Sequence, residues 1–165
     1  MIQSYPGAAQ RPETQRPAVP ASVRRAVKVM YAGAVVCVIH AIVYLVTAAD
    51  AKAAVAQKYQ HLSAGGVNTV THIIVIAGIV GSLIGAVLFA WIARSCRDGK
   101  NWARVTGTVV LVIAALGALR DLTQAETAVN LAFIFAECLI GLAAVVLLWR
   151  RDSNGYFGYF KRPQF

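Results

Sequence analysis

The sequence predicts an all-α membrane protein: an antiparallel bundle of four transmembrane helices with both termini in the cytoplasm. Apolar residues make up 58% of the 165 residues and charged residues only 14%, whereas soluble domains carry about a quarter charged residues. Four apolar stretches approach the ~20 residues that a helix needs to cross a bilayer. The basic residues are unevenly divided among the segments that join these stretches.

The four predicted spans differ in how well they fit a membrane. The first, second and fourth cover 29–49, 70–93 and 128–149, and each contains a single histidine or acidic residue. The third is weaker, because 105–119 is uncharged for only 15 residues. It spans if it extends to about 103–123, with the long side chains of Arg104 and Arg120 reaching the interfaces. A re-entrant segment is the alternative, but the fourth helix must begin on the side where the third ends.

The 16 basic residues predict the orientation. Thirteen lie before the first span, between the second and third, or after the fourth, and only Lys52, Lys58 and Arg120 lie in the other connections. Because cytoplasmic loops are enriched in Lys and Arg, both termini are expected on the cytoplasmic side of a bacterial plasma membrane. The positive face then favours anionic lipid headgroups. No RNA- or DNA-reading motif accompanies the charge, so no nucleic-acid partner is expected. The expected headgroup contacts are Arg24, Arg25, Arg94, Arg97, Lys100, Arg104, Arg150 and Arg151.

The two ends of the chain and its loops have distinct compositions. Four of the five prolines lie in residues 1–22, so 1–26 is predicted to be a disordered leader. The tail 150–165 mixes basic and aromatic residues, which suits the headgroup layer or docking on another protein. After the first span, a helix-compatible run from 51 to 60 is predicted to break at Gly65 and Gly66. Asp98-Gly99 predicts a turn before the third span.

Small and polar residues predict which helix faces point inward. In lipid, helices associate through close packing of small residues and through interhelical hydrogen bonds. The G-x-x-x-G pair Gly81–Gly85 could pack inside the bundle or mediate dimerisation. The inward positions, spaced mostly by three or four residues, are Gly33, Cys37, His40, Tyr44 and Thr47; Gly78, Gly81, Ser82 and Gly85; Thr106, Gly117 and Arg120; and Asn130, Glu137, Gly141 and Ala144.

Glu137 is the most informative single residue. It lies near the middle of the fourth span, where a carboxylate costs about 2.5–3.5 kcal/mol on insertion scales. His40 lies at a similar depth in the first span, so we expect a buried Glu137–His40 contact, extended by Arg120, Tyr44 and Asn130. Because histidine titrates near neutral pH, this cluster could handle protons or cations. The alternative is a neutral hydrogen-bonded pair that fixes the helix register.

The chain carries no signature of catalysis. No Ser/His/Asp order, H-E-x-x-H motif or phosphate-binding loop occurs, so we expect no enzyme, no catalytic residue, no metal and no cofactor. A bis-histidine haem is disfavoured because His72 and His40 are separated by about 10 Å in depth. Cys37, Cys96 and Cys138 form no C-x-x-C pair, so no disulfide framework is expected.

Short motifs at the membrane boundary carry a resemblance to a known group of proteins. They are GKNWAR at 99–104, PASVRR at 20–25 with MYAG at 30–33, and Ser153-Asn154 followed by Tyr156-Phe157. Together they resemble small, uncharacterised four-helix integral membrane proteins of actinobacteria. The resemblance extends over nearly the whole chain and implies architecture and compartment, but no activity and no site residue.

Two functions remain open from the sequence. The first is a non-enzymatic accessory or scaffold subunit of a larger membrane complex, favoured by the missing catalytic signature and the tails suited to docking. Its partner would be another membrane protein or a second copy of the chain. The alternative is a small oligomeric transporter, or a protein that handles protons or cations at Glu137 and His40. A water-filled cavity that reaches Glu137 would favour this alternative.

Overall fold

The protein is built from α-helices throughout the part that the structure describes. A computed structural model describes residues 19–123, 126–153 and 157. The predicted leader up to residue 18, and the tail at 154–156 and 158–165, lie outside the described residues. The predicted all-helical fold is confirmed over the described residues, and four helices, α1, α3, α4 and α5, are long and apolar enough to cross a membrane. The helices are α1 (Ala21–Val46), α2 (Ala48–Lys58), α3 (Ala64–Arg97), α4 (Asn101–Asp121) and α5 (Ala128–Leu148).

Three of the membrane helices extend beyond their apolar stretches. Helix α1 begins at Ala21, within the predicted leader, and its exposed Arg24 and Arg25 project from the surface. Helix α3 is 34 residues long and passes both ends of the predicted span 70–93. Helix α4 reaches 21 residues because it includes Arg104 and Arg120. Charged side chains interrupt a hydropathy pattern but leave the backbone hydrogen bonds of a helix intact, so the helices run on past the apolar stretch.

The short helix α2 covers one end of the bundle. Its buried Ala51 and Val55 lie on one face, and Val55 packs with Val67 near the start of α3. Lys58, at the end of α2, donates a hydrogen bond to the backbone carbonyl of Thr123, which follows α4. Helix α2 therefore connects the α1–α3 region to the α4–α5 loop.

The two predicted chain breaks have different outcomes. The break between α2 and α3 lies at residues 59–63, so the expectation of a break at Gly65–Gly66 was wrong. The hydroxyl of Ser63 accepts a hydrogen bond from the Gly66 amide at 3.3 Å. Because this cap satisfies one of the open amides of the first turn, the helix can begin before the two glycines. The turn at Asp98-Gly99 is confirmed, and Gly99 has a φ of 76°, which glycine adopts without steric cost.

Helix α1 is the central helix, with its largest interface to α3 and the next to α5. A Cβ atom at Gly33 would lie 3.0 Å from the Ile140 side chain and 3.2 Å from Phe89. The missing side chain at Gly33 thus lets α1 approach both neighbours closely.

The buried apolar residues concentrate at one end of the bundle. This cluster combines the first turns of α1 and α4 with the last turns of α3 and α5. We call it the basic end, since Arg24, Arg94 and Arg150 lie close to it in the chain. The opposite end, which α2 covers, is called the loop end. The residues of the basic-end cluster are Val23, Ala26, Val27, Met30, Ile92, Ala93, Cys96, Ala103, Ala144, Leu148 and Phe157.

Candidate functional site

Two ionisable side chains from different helices meet inside the bundle. Nδ1 of His40 in α1 lies 2.9 Å from Oε1 of Glu137 in α5. The side chain of His40 is 2% exposed and that of Glu137 is 21% exposed. The rings of Tyr44 and Phe133 stack against His40, with centroid distances of 4.7 and 5.1 Å. The imidazole is therefore held by one hydrogen bond and two ring contacts.

The second nitrogen of His40 is left without a partner. Nε2 is buried and makes no hydrogen bond within the part of the chain that the structure describes. A buried polar atom without a partner is costly, and such groups are rare in native structures. Nε2 is consequently the atom of this site that is best able to accept or donate a hydrogen bond to something else.

The His40–Glu137 pair lines a cavity of about 520 Å³ between all four membrane helices. Most of its wall is apolar or glycine. A Cβ atom at Gly81 of α3 or at Gly117 of α4 would have no neighbouring atom within 4 Å. These two glycines therefore border open space, and they widen the cavity between α3 and α4.

The cavity opens to the outside of the bundle on the side of α3 and α4. Ile73 and Ile84 of α3 and Ile113 of α4 line it, yet they are 62, 54 and 63% exposed. Residues that both line a cavity and reach the surface mark its opening. Since these three side chains are aliphatic, the opening faces the hydrocarbon of a bilayer in a membrane-spanning chain.

Charged groups gather at the part of the cavity nearest the loop end. Arg120 and Asp121, at the end of α4, and Glu126, in the following loop, all line the cavity. Burial raises the pKa of the Glu126 carboxyl, against the opposing hydrogen bond from Nδ2 of Asn130. The cavity therefore has an apolar opening at one part and a charged region at another. We call the region formed by Arg120, Asp121 and Glu126 the polar mouth.

The predicted cluster is only partly assembled. Tyr44 contacts His40, but Nδ2 of Asn130 donates to Oε2 of Glu126 at 3.3 Å, near the polar mouth. Over the described residues, neither Asn130 nor Arg120 is joined to Glu137 by a hydrogen bond or an ion pair. Arg120 is exposed and shares only the cavity wall with Glu137. The pair and the polar mouth are therefore two separate groups along one cavity.

Two residues that contact the predicted cluster were absent from the prediction. Phe133 stacks on His40, and Glu126 accepts the hydrogen bond from Asn130. Residues 130, 133 and 137 are spaced by three and four, which places them on one face of α5, whereas Glu126 lies in the loop before that helix. This spacing is a sequence signal that includes Phe133, whereas the predicted inward face contains only small and polar residues within the spans.

The three glycines predicted for helix packing have different surroundings. A Cβ atom at Gly78 would overlap the Tyr44 ring, and one at Gly85 would meet Sγ of Cys37 at 3.4 Å. Gly78 and Gly85 therefore lie at the interface with α1. Gly81 has no neighbouring atom within 4 Å of its would-be Cβ, so it borders the cavity instead of a helix.

Most residues predicted to contact lipid headgroups lie on the surface. Those with exposed side chains are Arg24, Arg25, Arg94, Arg97, Lys100, Arg150 and Arg151. Arg104 differs from them, because it is only 5% exposed. Its guanidinium carbon lies 4.5 Å from the Trp149 ring centroid and 4.9 Å from that of Phe157. Stacking on two aromatic rings places Arg104 inside the bundle, which corrects the expectation of a headgroup contact there.

The donor groups of the cavity do not form a chelating site. Among the described residues, no three His, Cys, Asp or Glu side chains come together as possible ligands of a metal ion. The site therefore offers single carboxylates and one imidazole for hydrogen bonding and charge pairing.

These features define a class: an all-helical protein with four helices able to span a membrane and a part-polar cavity between them. The chain matches no protein-family model, no curated protein and no solved structure.

Proposed function

We propose that this chain is a multi-pass membrane protein that binds and releases protons at the His40–Glu137 pair, as part of a small transporter. The single observation that carries the proposal is the location of the pair. It lines a cavity of about 520 Å³ that lies between four helices of membrane-spanning length and opens on the side of α3 and α4. A histidine–glutamate pair that only fixed the helix register could be packed on all sides and would not need to line a cavity.

The proposal includes an antiparallel arrangement of the four membrane helices. Contacts between neighbouring helices support it, because residue numbers rise along one helix while they fall along the other. Between α1 and α3 the contacts are Gly33–Phe89, Cys37–Gly85 and Tyr44–Gly78; between α1 and α5 they are Gly33–Ile140 and His40–Glu137; between α4 and α5 they are Thr108–Trp149 and Leu111–Gly141.

We further propose a bacterial plasma membrane with both termini in the cytoplasm. The supporting observation is that 13 of the 16 basic residues lie before the first apolar span, between the second and third, or after the fourth. Anionic lipid headgroups would then bind the exposed arginines of the basic end. The motifs at the membrane boundary are the support for a proposed likeness to small actinobacterial membrane proteins. Proton binding at the pair needs no cofactor and no chemical step.

The pair supplies two protonation states. In the first, the Nδ1–H of His40 donates to the Glu137 carboxylate, and the pair carries one negative charge. In the second, a further proton on Nε2 makes the pair neutral overall. Because Nε2 has no partner among the described residues, it is the position at which this second proton binds and leaves.

Proton flux into proteoliposomes tests this proposal. Purified protein is reconstituted with the pH dye pyranine inside, and a potassium gradient with valinomycin sets the membrane potential. Wild-type protein is expected to acidify the lumen, and Glu137→Gln is expected to lose this flux. Asp50→Asn is the matched control, since Asp50 is exposed on α2 and does not line the cavity. An unchanged flux in Glu137→Gln would remove the proposal.

An accessory subunit is the second candidate function, and the open side of the bundle favours it. The space beside Gly81 and Gly117 could also be filled by a helix of a partner membrane protein or of a second copy. Cross-linking from cysteines placed at these two glycines, followed by native mass spectrometry of mild-detergent extracts, tests this function. A defined partner band supports it, and recovery of monomer alone contradicts it.

A further inference from the structure

We propose that the cavity binds a lipophilic amine in its protonated form, whose ammonium N–H donates a hydrogen bond to Nε2 of His40. The inference deepens the proposed function, on which it rests, by naming the chemical class that occupies the same cavity. It depends on three observations: an acceptor atom without a partner, an excess of negative charge, and an apolar opening.

The hydrogen-bonding roles at the pair determine what Nε2 can accept. With Glu137 ionised, its carboxylate can only accept a hydrogen bond, so Nδ1 of His40, 2.9 Å from Oε1, is then the nitrogen that carries the proton. A neutral imidazole that uses its proton at Nδ1 carries a lone pair at Nε2. This lone pair is buried and has no donor within the described part of the chain. The missing partner is therefore a hydrogen-bond donor.

The charge of the cavity favours a cationic donor. Three carboxyl groups, those of Asp121, Glu126 and Glu137, line it together with one guanidinium, that of Arg120. With His40 neutral and the other groups ionised, the lining has a formal charge of −2. A neutral alcohol would satisfy Nε2 but would leave this charge uncompensated.

The size and opening of the cavity favour an apolar body on the ligand. Pockets for drug-sized molecules occupy about 300–1,000 Å³, and this one measures about 520 Å³. The exposed isoleucines Ile73, Ile84 and Ile113 form the opening, and Gly81 and Gly117 widen it. A ligand with an apolar body can enter from the hydrocarbon side and leave its ammonium group at His40.

The same geometry separates this ligand from two other cations. No three metal-ligating side chains converge in the described residues, so a chelated metal ion lacks its ligands. A quaternary ammonium ion has the charge but no N–H, so it would leave Nε2 without a partner.

Protons compete with the amine for Nε2. A second proton there turns the acceptor into a donor and cancels one negative charge of the pair, so amine binding weakens as the pH falls. The titratable groups that face the cavity beside the pair are Cys37 and Tyr44 on α1, Cys138 on α5, and the two carboxyls and the guanidinium of the polar mouth. Helix α3 adds no titratable group to the cavity lining described here.

The test uses ¹⁵N-histidine-labelled full-length protein in lipid nanodiscs at pH 8. Imipramine, a tertiary amine with an apolar ring system, is the probe, and its N-methyl quaternary derivative is the matched ligand control. We expect imipramine to shift the His40 Nε2 resonance and to leave that of the exposed His72 unchanged. The quaternary derivative should bind about tenfold more weakly, since it cannot form the hydrogen bond.

Variants provide the second arm. His40→Phe should lose saturable imipramine binding, whereas His72→Phe should keep it. Because His40→Phe risks misfolding, the resonance shift in the unmodified chain decides the question independently. Equal affinity for the quaternary derivative, or an unmoved His40 resonance at saturating imipramine, would overturn the inference.

The two proposals can fail separately. A flux that depends on Glu137 but comes with no imipramine response removes the amine site alone. An imipramine response without a Glu137-dependent flux removes proton handling and supports the amine site.

Discussion

The contact between Gly78 and Tyr44 allows a matched pair of substitutions to be predicted quantitatively. A methyl group at Gly78 would overlap the Tyr44 ring, while the same group at Gly81, one turn further along α3, would meet no atom within 4 Å. Both positions lie inside helix α3. Comparing Gly78→Ala with Gly81→Ala therefore isolates the helix contact from the effect of alanine on the helix itself.

The magnitude follows from two opposing contributions. Alanine stabilises a helix interior by about 1 kcal/mol relative to glycine, and this contribution is shared by both variants. Overpacking a filled site costs about 1–3 kcal/mol. The Tyr44 ring cannot move away cheaply, because it is 5% exposed and stacks on His40. We expect Gly78→Ala to be less stable than Gly81→Ala by about 1–3 kcal/mol, with Gly81→Ala no less stable than wild type.

Unfolding by sodium dodecyl sulfate in mixed micelles, followed by circular dichroism, measures this difference. Repeating the comparison in a Tyr44→Ala background closes a double-mutant cycle, in which the difference between the two alanine variants should disappear. Equal stability of the two variants in the wild-type background, or greater stability of Gly78→Ala, would refute the packing of α1 against α3.

Three further predictions use the same unfolding assay. Burial raises the pKa of Glu126 in the folded protein, so its contribution to stability is complete below the ordinary carboxyl pKa of about 4.3. This contribution is lost as the pH rises through the raised pKa. Glu126→Gln does not titrate, so it should gain stability relative to wild type from acid to neutral pH. Arg104→Lys should cost about 1 kcal/mol, since lysine lacks the planar group that stacks on Trp149 and Phe157. Ser22→Ala should cost about 0.5–1.5 kcal/mol, because the hydroxyl of Ser22 lies 2.9 Å from that of Ser153, which itself donates to the Leu147 carbonyl.

Each of these predictions has a distinct contradicting result. A Glu126→Gln advantage that shrinks with rising pH would contradict the raised pKa. Arg94→Lys, on an exposed residue, is the control for Arg104→Lys, and equal effects of the two would contradict a stacked guanidinium. A neutral Ser22→Ala would mean that the two hydroxyls do not hold the start of α1 against the segment after α5.

The membrane helices could be predicted from the sequence because their signal is local. Apolar stretches and the position of basic residues both depend on composition alone, and four helices of membrane-spanning length follow from them. The helix ends could not be read in this way. Lys28 ends the apolar stretch of α1, but the helix continues through it to Ala21.

The His40–Glu137 contact could also be inferred from the sequence, since the two residues share a depth and each occupies the polar face of its helix. The surroundings of the pair depend on how closely the four helices pack at each point, which local composition does not determine. Gly78 and Gly81 are identical as sequence signals, yet one contacts a ring and the other borders open space. Arg104 looks like an interfacial cation, and only the tertiary contact with Trp149 and Phe157 places it inside.

Proton exchange at the His40–Glu137 pair requires that water reach it through the cavity, and cysteine accessibility tests this requirement most directly. With Cys37, Cys96 and Cys138 replaced by alanine, single cysteines are placed at Ser82, which is buried and lines the cavity, and at Val80, which is exposed and does not line it. In liposomes, a charged water-soluble methanethiosulfonate should modify the cysteine at position 82 and spare that at position 80, which faces lipid. A cysteine at 82 that stays unmodified, or equal modification at both positions, would contradict a water-filled cavity.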